Sequence, residues 1–163
     1  MNYHNITKDD MLNGDGLRVV LWVAGCSHGC KACHNPITWD INGGLYFDEA
    51  AKGEIRAELD KPYISGITFS GGDPLHPLNR DTVGQFIEEI RRDYPTKTIW
   101  LYTGFVWEDI KNLSFMDKID VLVDGAFVLA LKDSKLHWRG SSNQQVIDVQ
   151  KSLGTGEIVY WTT

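Results

Sequence analysis

The sequence lacks an apolar run of the roughly 18 residues that a helix needs to cross a bilayer, so neither a membrane-spanning segment nor a membrane partner is expected. Its opening residues, MNYHNITKDD, also lack the charged and apolar regions of a secretory signal. These two absences favour a cytoplasmic protein.

The chain also lacks an excess of basic residues. It has 16 Lys and Arg against 22 Asp and Glu, for a net charge of −6, and its longest basic run is the pair at 91–92. Binding of duplex nucleic acid requires a local surplus of Lys and Arg. No nucleic-acid partner is therefore expected, although the backbone amides of an acidic chain can still bind a charged small molecule.

Repeats, low-complexity stretches and a convincing linker are absent as well. A chain of 163 residues is long enough to bury one hydrophobic core. We therefore expect residues 1–163 to form a single domain, in which residues 146–163 contribute an edge strand or a loose tail.

What the sequence does contain is an alternation of apolar, β-branched runs with amphipathic segments. The apolar runs predict strands over residues 17–25, 63–71, 97–104, 119–125 and 144–149. Apolar residues spaced three or four apart predict helices over residues 48–60, 79–94 and 106–113, with Asp48 as the N-cap of the first.

Strands that alternate with helices through short connections indicate a parallel sheet with right-handed crossovers. A closed barrel of eight such units usually takes about 250 residues, which is more than this chain has. The expected fold class is therefore α/β, with a mainly parallel sheet that forms an open partial (β/α) barrel or a curved doubly wound sheet.

Groups suited to ligand binding follow four of the predicted strands. The first strand ends at Cys26, the second at SGGDP (70–74), the third at Thr103 and the fourth at Asp124. Taken alone, SGGDP could be only a turn, and Asp124 with Gly125 could be only a strand terminator. Ligands of parallel α/β sheets bind beyond the carboxyl ends of the strands, so the four ends together predict a site.

All three cysteines of the chain, Cys26, Cys30 and Cys33, lie in one segment with the spacing Cys-x3-Cys-x2-Cys. Disulfides are uncommon in a reducing cytosol, and one pair would leave a thiol over. Metal ligation or redox chemistry is therefore favoured over three incidental core thiols.

The spacing leaves the kind of metal site open. A structural zinc site needs four ligands, so His28 or a distant histidine would have to join the cysteines. Three thiolates from one tight loop can instead hold three irons of a [4Fe–4S] cluster and leave the fourth iron for another ligand. A zinc-stabilised α/β binding module and a metal-free fold with three buried thiols remain alternatives.

Several stretches resemble a known family. The cysteine spacing after the first strand of a β/α chain resembles the signature of the radical S-adenosylmethionine (SAM) enzymes. Within that superfamily, GCSHGCKACHNPITW, SGGDPLHP, VLVDG and WRGSSNQ together resemble the activating proteins of the anaerobic (class III) ribonucleoside-triphosphate reductases. The resemblance covers essentially residues 1–145. Activators of pyruvate formate-lyase and small radical enzymes of deazapurine biosynthesis share the cysteine spacing and are the rival enzyme readings.

The resemblance implies one [4Fe–4S] cluster per chain, held by Cys26, Cys30 and Cys33, with SAM chelated at its open iron. Reductive cleavage of SAM in such enzymes gives methionine and a 5′-deoxyadenosyl radical, which removes a hydrogen atom from a glycine Cα on the large reductase subunit. The implied partners are that subunit and an electron donor such as reduced flavodoxin. Hydrogen-atom abstraction needs no general base, so the lack of a Ser–His–Asp pattern is expected.

The resemblance also implies roles for individual residues. Those expected against the adenosyl moiety are Ala32, Cys33 and His34. Those expected to receive the methionine half of SAM are Ser70, Gly71, Gly72 and Asp73. Candidates for the ribose hydroxyls or the carboxylate are Thr103 and Asp124. Residues of the last motif, expected to close the pocket or to meet the partner, are Arg139, Ser141, Ser142 and Asn143.

Overall fold

The computed structural model describes residues 1–26, 28 and 39–162. Its strands are β1 (Asn2–Asp10), β2 (Leu17–Val23), β3 (Leu45–Tyr46), β4 (Ile64–Gly71), β5 (Thr98–Tyr102), β6 (Val121–Asp124) and β7 (Gln145–Asp148). Its α-helices are α1 (Glu49–Leu59), α2 (Arg80–Asp93), α3 (Trp107–Ile110) and α4 (Val149–Thr155). Short 3₁₀ helices cover Met116–Lys118 and Leu129–Leu131.

The strands form one seven-stranded sheet in the order β3-β1-β2-β4-β5-β6-β7. The four central strands, β2, β4, β5 and β6, are parallel, whereas β1, β3 and β7 pair antiparallel to their neighbours. The sheet is not closed, since β3 and β7 lie at its opposite edges. The predicted α/β class and the parallel centre of the sheet are thus confirmed.

Helices α1 and α2 cover one face of the sheet. The predicted N-cap is confirmed, because the Asp48 carboxylate accepts a hydrogen bond of 2.9 Å from the Ala51 amide. The apolar stripe of α2 is buried, including Val83, Phe86 and Ile90, and it joins a core built from alternate residues of the strands. Helices α1 and α2 do not cover the other face of the central strands, and side chains on that face line the cavity described below.

That other face carries a fully buried charge, Arg18, whose guanidinium lies 5.5 Å from the centre of the Trp100 ring. Its donors meet hydroxyls and carbonyls at 2.7 to 2.9 Å, namely Thr68 Oγ1, Thr98 Oγ1 and the carbonyl oxygens of Asp15, Ile67 and Thr98. Burial lowers the pKa of Arg18 to about 10, so the side chain stays protonated at neutral pH. The charge is stable there because it is surrounded by acceptors.

Some elements differ from the sequence-based expectation. Strand β1 was not predicted, because its residues are mostly polar and half-exposed. The predicted helix over 106–113 is confined to α3. The end of the chain, expected to be an edge strand or a loose tail, contains α4, and beyond it Tyr160 forms an isolated antiparallel bridge with Ile147. In the described ranges, no helix combines the length and the hydropathy needed to cross a membrane.

Replacing Arg18 by Met should destabilise the fold by about 3 kcal/mol or more, because several buried acceptors lose their donors and each costs roughly 1 kcal/mol or more. Urea unfolding followed by circular dichroism measures this change. The matched control is Arg92→Met, since Arg92 has a 69% exposed side chain that pairs with the adjacent Asp93 and should change stability by no more than about 0.5 kcal/mol. Equal unfolding midpoints for the two variants would contradict the structural role of Arg18.

Candidate functional site

We call the carboxyl ends of the parallel strands the rim. A cavity of about 520 Å³ opens at the rim. The predicted site residues that line it are Cys26, Ser70, Gly71, Gly72, Thr103 and Arg139. Residues from the inner face of the sheet and from neighbouring loops complete the lining, among them Leu12, Asn13, Trp22, His28, Tyr102, Gly104, Phe127 and Trp138. The volume falls within the range usual for small-molecule and cofactor sites.

The SGGDP segment is more than a turn, because it is bonded to the end of β2. The amide of Gly72 donates to the Val23 carbonyl at 2.9 Å, and that of Asp73 donates to the Gly25 carbonyl at 2.7 Å. Gly71 has a φ of +106°, and a Cβ there would lie 2.5 Å from the backbone N and O of Val23. Only glycine fits this close approach of two strand exits.

Asp73 lies behind the cavity lining, with a side chain only 1% exposed. Its carboxylate accepts hydrogen bonds from the Leu75 amide at 2.8 Å, the Thr103 hydroxyl at 2.9 Å and the Gly104 amide at 2.9 Å. The same carboxylate lies 2.5 Å from Nε2 of His28. The pKa of His28 is raised chiefly by this hydrogen bond, against the opposing effect of burial.

Asp124 also uses its carboxylate for support. One oxygen accepts the Trp107 amide at 2.8 Å and the other accepts the Gln145 amide at 3.1 Å. These contacts fix the start of α3 and the start of β7. Burial raises the pKa of Asp124. The neighbouring Gly125, rather than Asp124, belongs to the cavity lining.

The RGSSNQ motif folds into a self-bonded loop. The Ser141 hydroxyl is buried, accepts the Val128 amide at 3.2 Å and donates to Asn143 Oδ1 at 2.6 Å. Asn143 in turn donates to the Ala126 carbonyl at 2.8 Å. The Arg139 guanidinium donates to the carbonyls of Ser142 and Gln144. Arg139 also lines the cavity, while Ser141 and Asn143 hold the segment 126–128 in place.

The cysteine segment is described only in part. Cys26 lines the cavity, and its amide donates to the Trp39 carbonyl at 3.2 Å. Cys30, Ala32, Cys33 and His34 lie outside the described residues. Within the described ranges, no group of three or more His, Cys, Asp or Glu side chains could hold a metal ion. Cys26 supplies a soft sulfur ligand at the edge of a preformed cavity, which fits one corner of a cluster site.

A family model described as a 4Fe-4S single cluster domain matches residues 12–147. The chain is 44% identical over 150 residues to a protein of Escherichia coli K12 named anaerobic ribonucleoside-triphosphate reductase-activating protein, covering 90% of this chain and 97% of that protein. A protein of the same name from Enterobacteria phage T4 is 43% identical over 146 residues, covering 90% of this chain and 93% of that protein.

The chain belongs to the family of anaerobic ribonucleoside-triphosphate reductase-activating proteins. The family assignment made from the cysteine spacing and the three other motifs is thereby confirmed, and so is the expectation of a single 4Fe-4S cluster domain. The rival family readings, an activator of pyruvate formate-lyase and a deazapurine enzyme, lose their support.

Aromatic lining residues were not predicted for this family member. Trp22, Tyr102 and Trp138 all border the cavity. Trp22 and Tyr102 occupy the same alternate strand positions as Arg18 and Trp100, so strand periodicity is the signal that could have found them. Trp138 has a φ of +68°, and its buried indole N–H has no hydrogen-bond partner within the described part of the chain. Burial raises the pKa of Tyr102 far above its usual value, which keeps the phenol neutral.

Replacing Gly71 by Ala should distort the rim, because the new Cβ would overlap the backbone of Val23 and φ is positive. We expect weakened SAM binding together with a destabilisation of at least about 1 kcal/mol. The matched control is Gly53→Ala on α1, where a Cβ meets nothing within 4 Å and should raise stability by up to about 1 kcal/mol. Thermal unfolding and equilibrium SAM binding measure both effects, and an unaltered Gly71→Ala protein would contradict the close approach.

Ser141 and Ser142 are adjacent, but the first is buried and the second is exposed. Replacing each in turn therefore tests whether the buried hydroxyl stabilises the loop. Ser141→Ala removes two hydrogen bonds from a buried group and should cost about 1–2 kcal/mol, or a fall of several degrees in the unfolding midpoint. Ser142→Ala changes an exposed side chain and should leave the midpoint within about 1 °C. Differential scanning calorimetry tests the pair, and equal midpoints would mean that the RGSSNQ loop does not depend on Ser141.

Proposed function

We propose that this chain activates an anaerobic ribonucleoside-triphosphate reductase by generating a glycyl radical on its large subunit. The observation that carries the proposal is the cavity at the rim, which both Cys26 and the glycine-rich exit of β4 line. Family membership supports the same chemistry. Cys26, Cys30 and Cys33 would hold the [4Fe–4S] cluster, which when bound supplies the electron that splits a carbon–sulfur bond of SAM to produce the hydrogen-abstracting radical.

The residues around the cavity would bind and orient SAM. Ser70, Gly71 and Gly72 present small groups and backbone atoms to the cavity, and this suits close approach of the methionine half. Thr103 borders the same space from β5. Ala32, Cys33 and His34 would contact the adenosyl moiety, as the resemblance implies. We assign Asp73 and Asp124 a supporting role, because backbone and hydroxyl donors occupy their carboxylates.

The aromatic lining would keep water away from the reacting atoms. Trp22, Tyr102 and Trp138 give the cavity large apolar surfaces, and Arg18 and Trp100 fill the sheet face below them. A reactive radical needs such protection, since a protein that binds a cofactor of this kind contributes orientation and exclusion of side reactions.

The open sheet suits a protein substrate. A partial barrel, as expected from the sequence, would leave a mouth wide enough for a glycine-bearing loop of the large subunit. Exposed apolar side chains occur on the cavity lining at Leu12, which is 82% exposed, and in the segment that follows the lining residues Ala126 and Phe127, where Leu129 is 42% and Leu131 44% exposed. The RGSSNQ loop bonds to the segment 126–128. We infer that this side meets the large subunit, that residues 1–163 act as one domain, and that a cytoplasmic donor such as reduced flavodoxin supplies the electron.

The decisive experiment uses protein purified without oxygen. We expect about four irons and four sulfides per chain, release of 5′-deoxyadenosine after addition of SAM and dithionite, and a glycyl radical signal on the purified large reductase subunit by electron paramagnetic resonance. Cys26→Ala should abolish all three. Purified pyruvate formate-lyase serves as the control substrate and should acquire no radical. One zinc per chain without iron would refute the proposal and favour a zinc-stabilised binding module.

A further inference from the structure

We propose that Asn79 is a positioning residue of the SAM site, and that its side-chain amide sets the separation between the exit of β2 and the glycine-rich exit of β4. The inference rests on the proposed function, because it concerns the cavity that would bind SAM. Asn79 immediately precedes α2 and is 0% exposed. Its Nδ2 donates to the Ala24 carbonyl at 2.7 Å and to the Asp73 carbonyl at 3.3 Å.

The two carbonyls that Asn79 contacts belong to two different strand exits. Ala24 follows β2 and lies two residues before Cys26, whereas Asp73 lies directly after Gly72 at the exit of β4. Both Cys26 and Gly72 line the cavity. A side chain that bonds to both exits therefore determines how far apart these two parts of the lining lie.

Backbone hydrogen bonds join the same two exits, and Asn79 completes the junction. The amides of Gly72 and Asp73 donate to the carbonyls on either side of Ala24, at 2.9 Å and 2.7 Å. Ala24 itself is fully buried, and a buried carbonyl needs a donor. The Asn79 amide supplies that donor, so three consecutive carbonyls at the end of β2 are bonded to the segment that follows β4.

The Asn79 side chain does not cap helix α2, although it occupies the N-cap position. An Asn there ordinarily accepts a hydrogen bond from an amide of the first turn, but within residues 79–83, all of which the structure describes, no such side-chain bond forms. The Asn79 backbone is nevertheless fixed, since its amide donates to the His76 carbonyl at 2.8 Å and its carbonyl accepts the Val83 amide at 3.0 Å. The side chain thus extends from a fixed point and serves the two strand exits instead of its own helix.

SAM would be bound by groups from both exits at once, because Cys26 belongs to one and the glycine-rich segment to the other. Groups that bind a ligand must be held within about 0.5 Å of their working geometry, and hydrogen bonds behind the lining hold them there. Loss of the Asn79 donors should therefore weaken SAM binding without removing any group of the cavity lining.

The test compares two variants of Asn79 in protein loaded with its cluster in the absence of oxygen. Asn79→Leu removes both donors. Asn79→Asp keeps the outline of the side chain and can cap α2, but its carboxylate cannot donate to either carbonyl. In equilibrium dialysis, both variants should bind SAM at least about tenfold more weakly than the wild type. The reduced cluster of each should need correspondingly more SAM before its paramagnetic resonance spectrum changes.

Iron and sulfide per chain should stay at the wild-type content in both variants, because no cluster ligand is changed. Asn112→Asp is the matched control, since Asn112 is exposed and does not belong to the cavity lining. It should bind SAM with wild-type affinity. Circular dichroism of each loaded protein measures the folded fraction, and if Asn79→Leu does not fold, Asn79→Asp decides the test alone.

Each result has a distinct meaning. Wild-type SAM affinity in both Asn79 variants would overturn the positioning role and leave the proposed function intact. Weak binding by Asn79→Leu with normal binding by Asn79→Asp would also overturn it, because a helix cap would then be sufficient. The same holds if SAM binding falls only in proportion to lost iron or to the unfolded fraction. A wild-type chain that holds no iron or binds no SAM would defeat the proposed function itself, and this inference with it.

Discussion

A carboxylate removed from water is destabilising unless donors surround it, and this requirement organises the rim around Asp73. Its donors come from Thr103 and Gly104, directly after β5, and from Leu75 in its own loop, while its amide donates to the Gly25 carbonyl after β2. Satisfying one buried side chain therefore brings three strand exits into fixed positions. Gly71 and Gly104 are consequences of that convergence, since larger side chains would collide with Val23 and with the His28 ring.

Arg18 is a buried charge near the start of β2, and it needs surrounding acceptors as Asp73 needs surrounding donors. Its guanidinium is as buried as Asp73, and five hydrogen bonds with a ring contact compensate for lost hydration. Arg18 and Trp100 are fully buried on the inner face of the sheet, next to the aromatic residues that line the cavity. Side chains on the inner face of an open sheet thus form one wall of the cavity.

Local interactions account for what the sequence could predict. The N-cap at Asp48 is three residues from its donor, and the α2 stripe repeats within one helix, so both are visible as short patterns. The cysteine spacing and the rim positions are visible for the same reason. Strand β1 is defined instead by its pairing with β2, a partner that its polar residues do not reveal.

What the sequence could not predict depends on hydrogen bonds between side chains and groups that are far apart in the chain. The family resemblance placed Asp73 and Asp124 among the residues expected to bind SAM. Their observed partners include His28, 45 residues from Asp73, and Trp107, 17 residues from Asp124. Which donors an acidic side chain meets depends on the folded arrangement of several elements, and a sequence pattern carries no information on that choice.

The two acidic residues suggest how the site divides its tasks. A carboxylate free in the cavity would be a competing metal ligand and would bring water with it. Carboxylates that accept backbone amides do neither, and their hydrogen bonds stiffen the strand exits behind the small groups, such as Ser70 and Gly72, that line the cavity. The buried carboxylates keep the strand exits in place, and the small groups on the lining leave space in the cavity, so the two features complement each other. An enzyme that must present a radical to another protein needs both, because its own cavity has to stay in place while the mouth remains open.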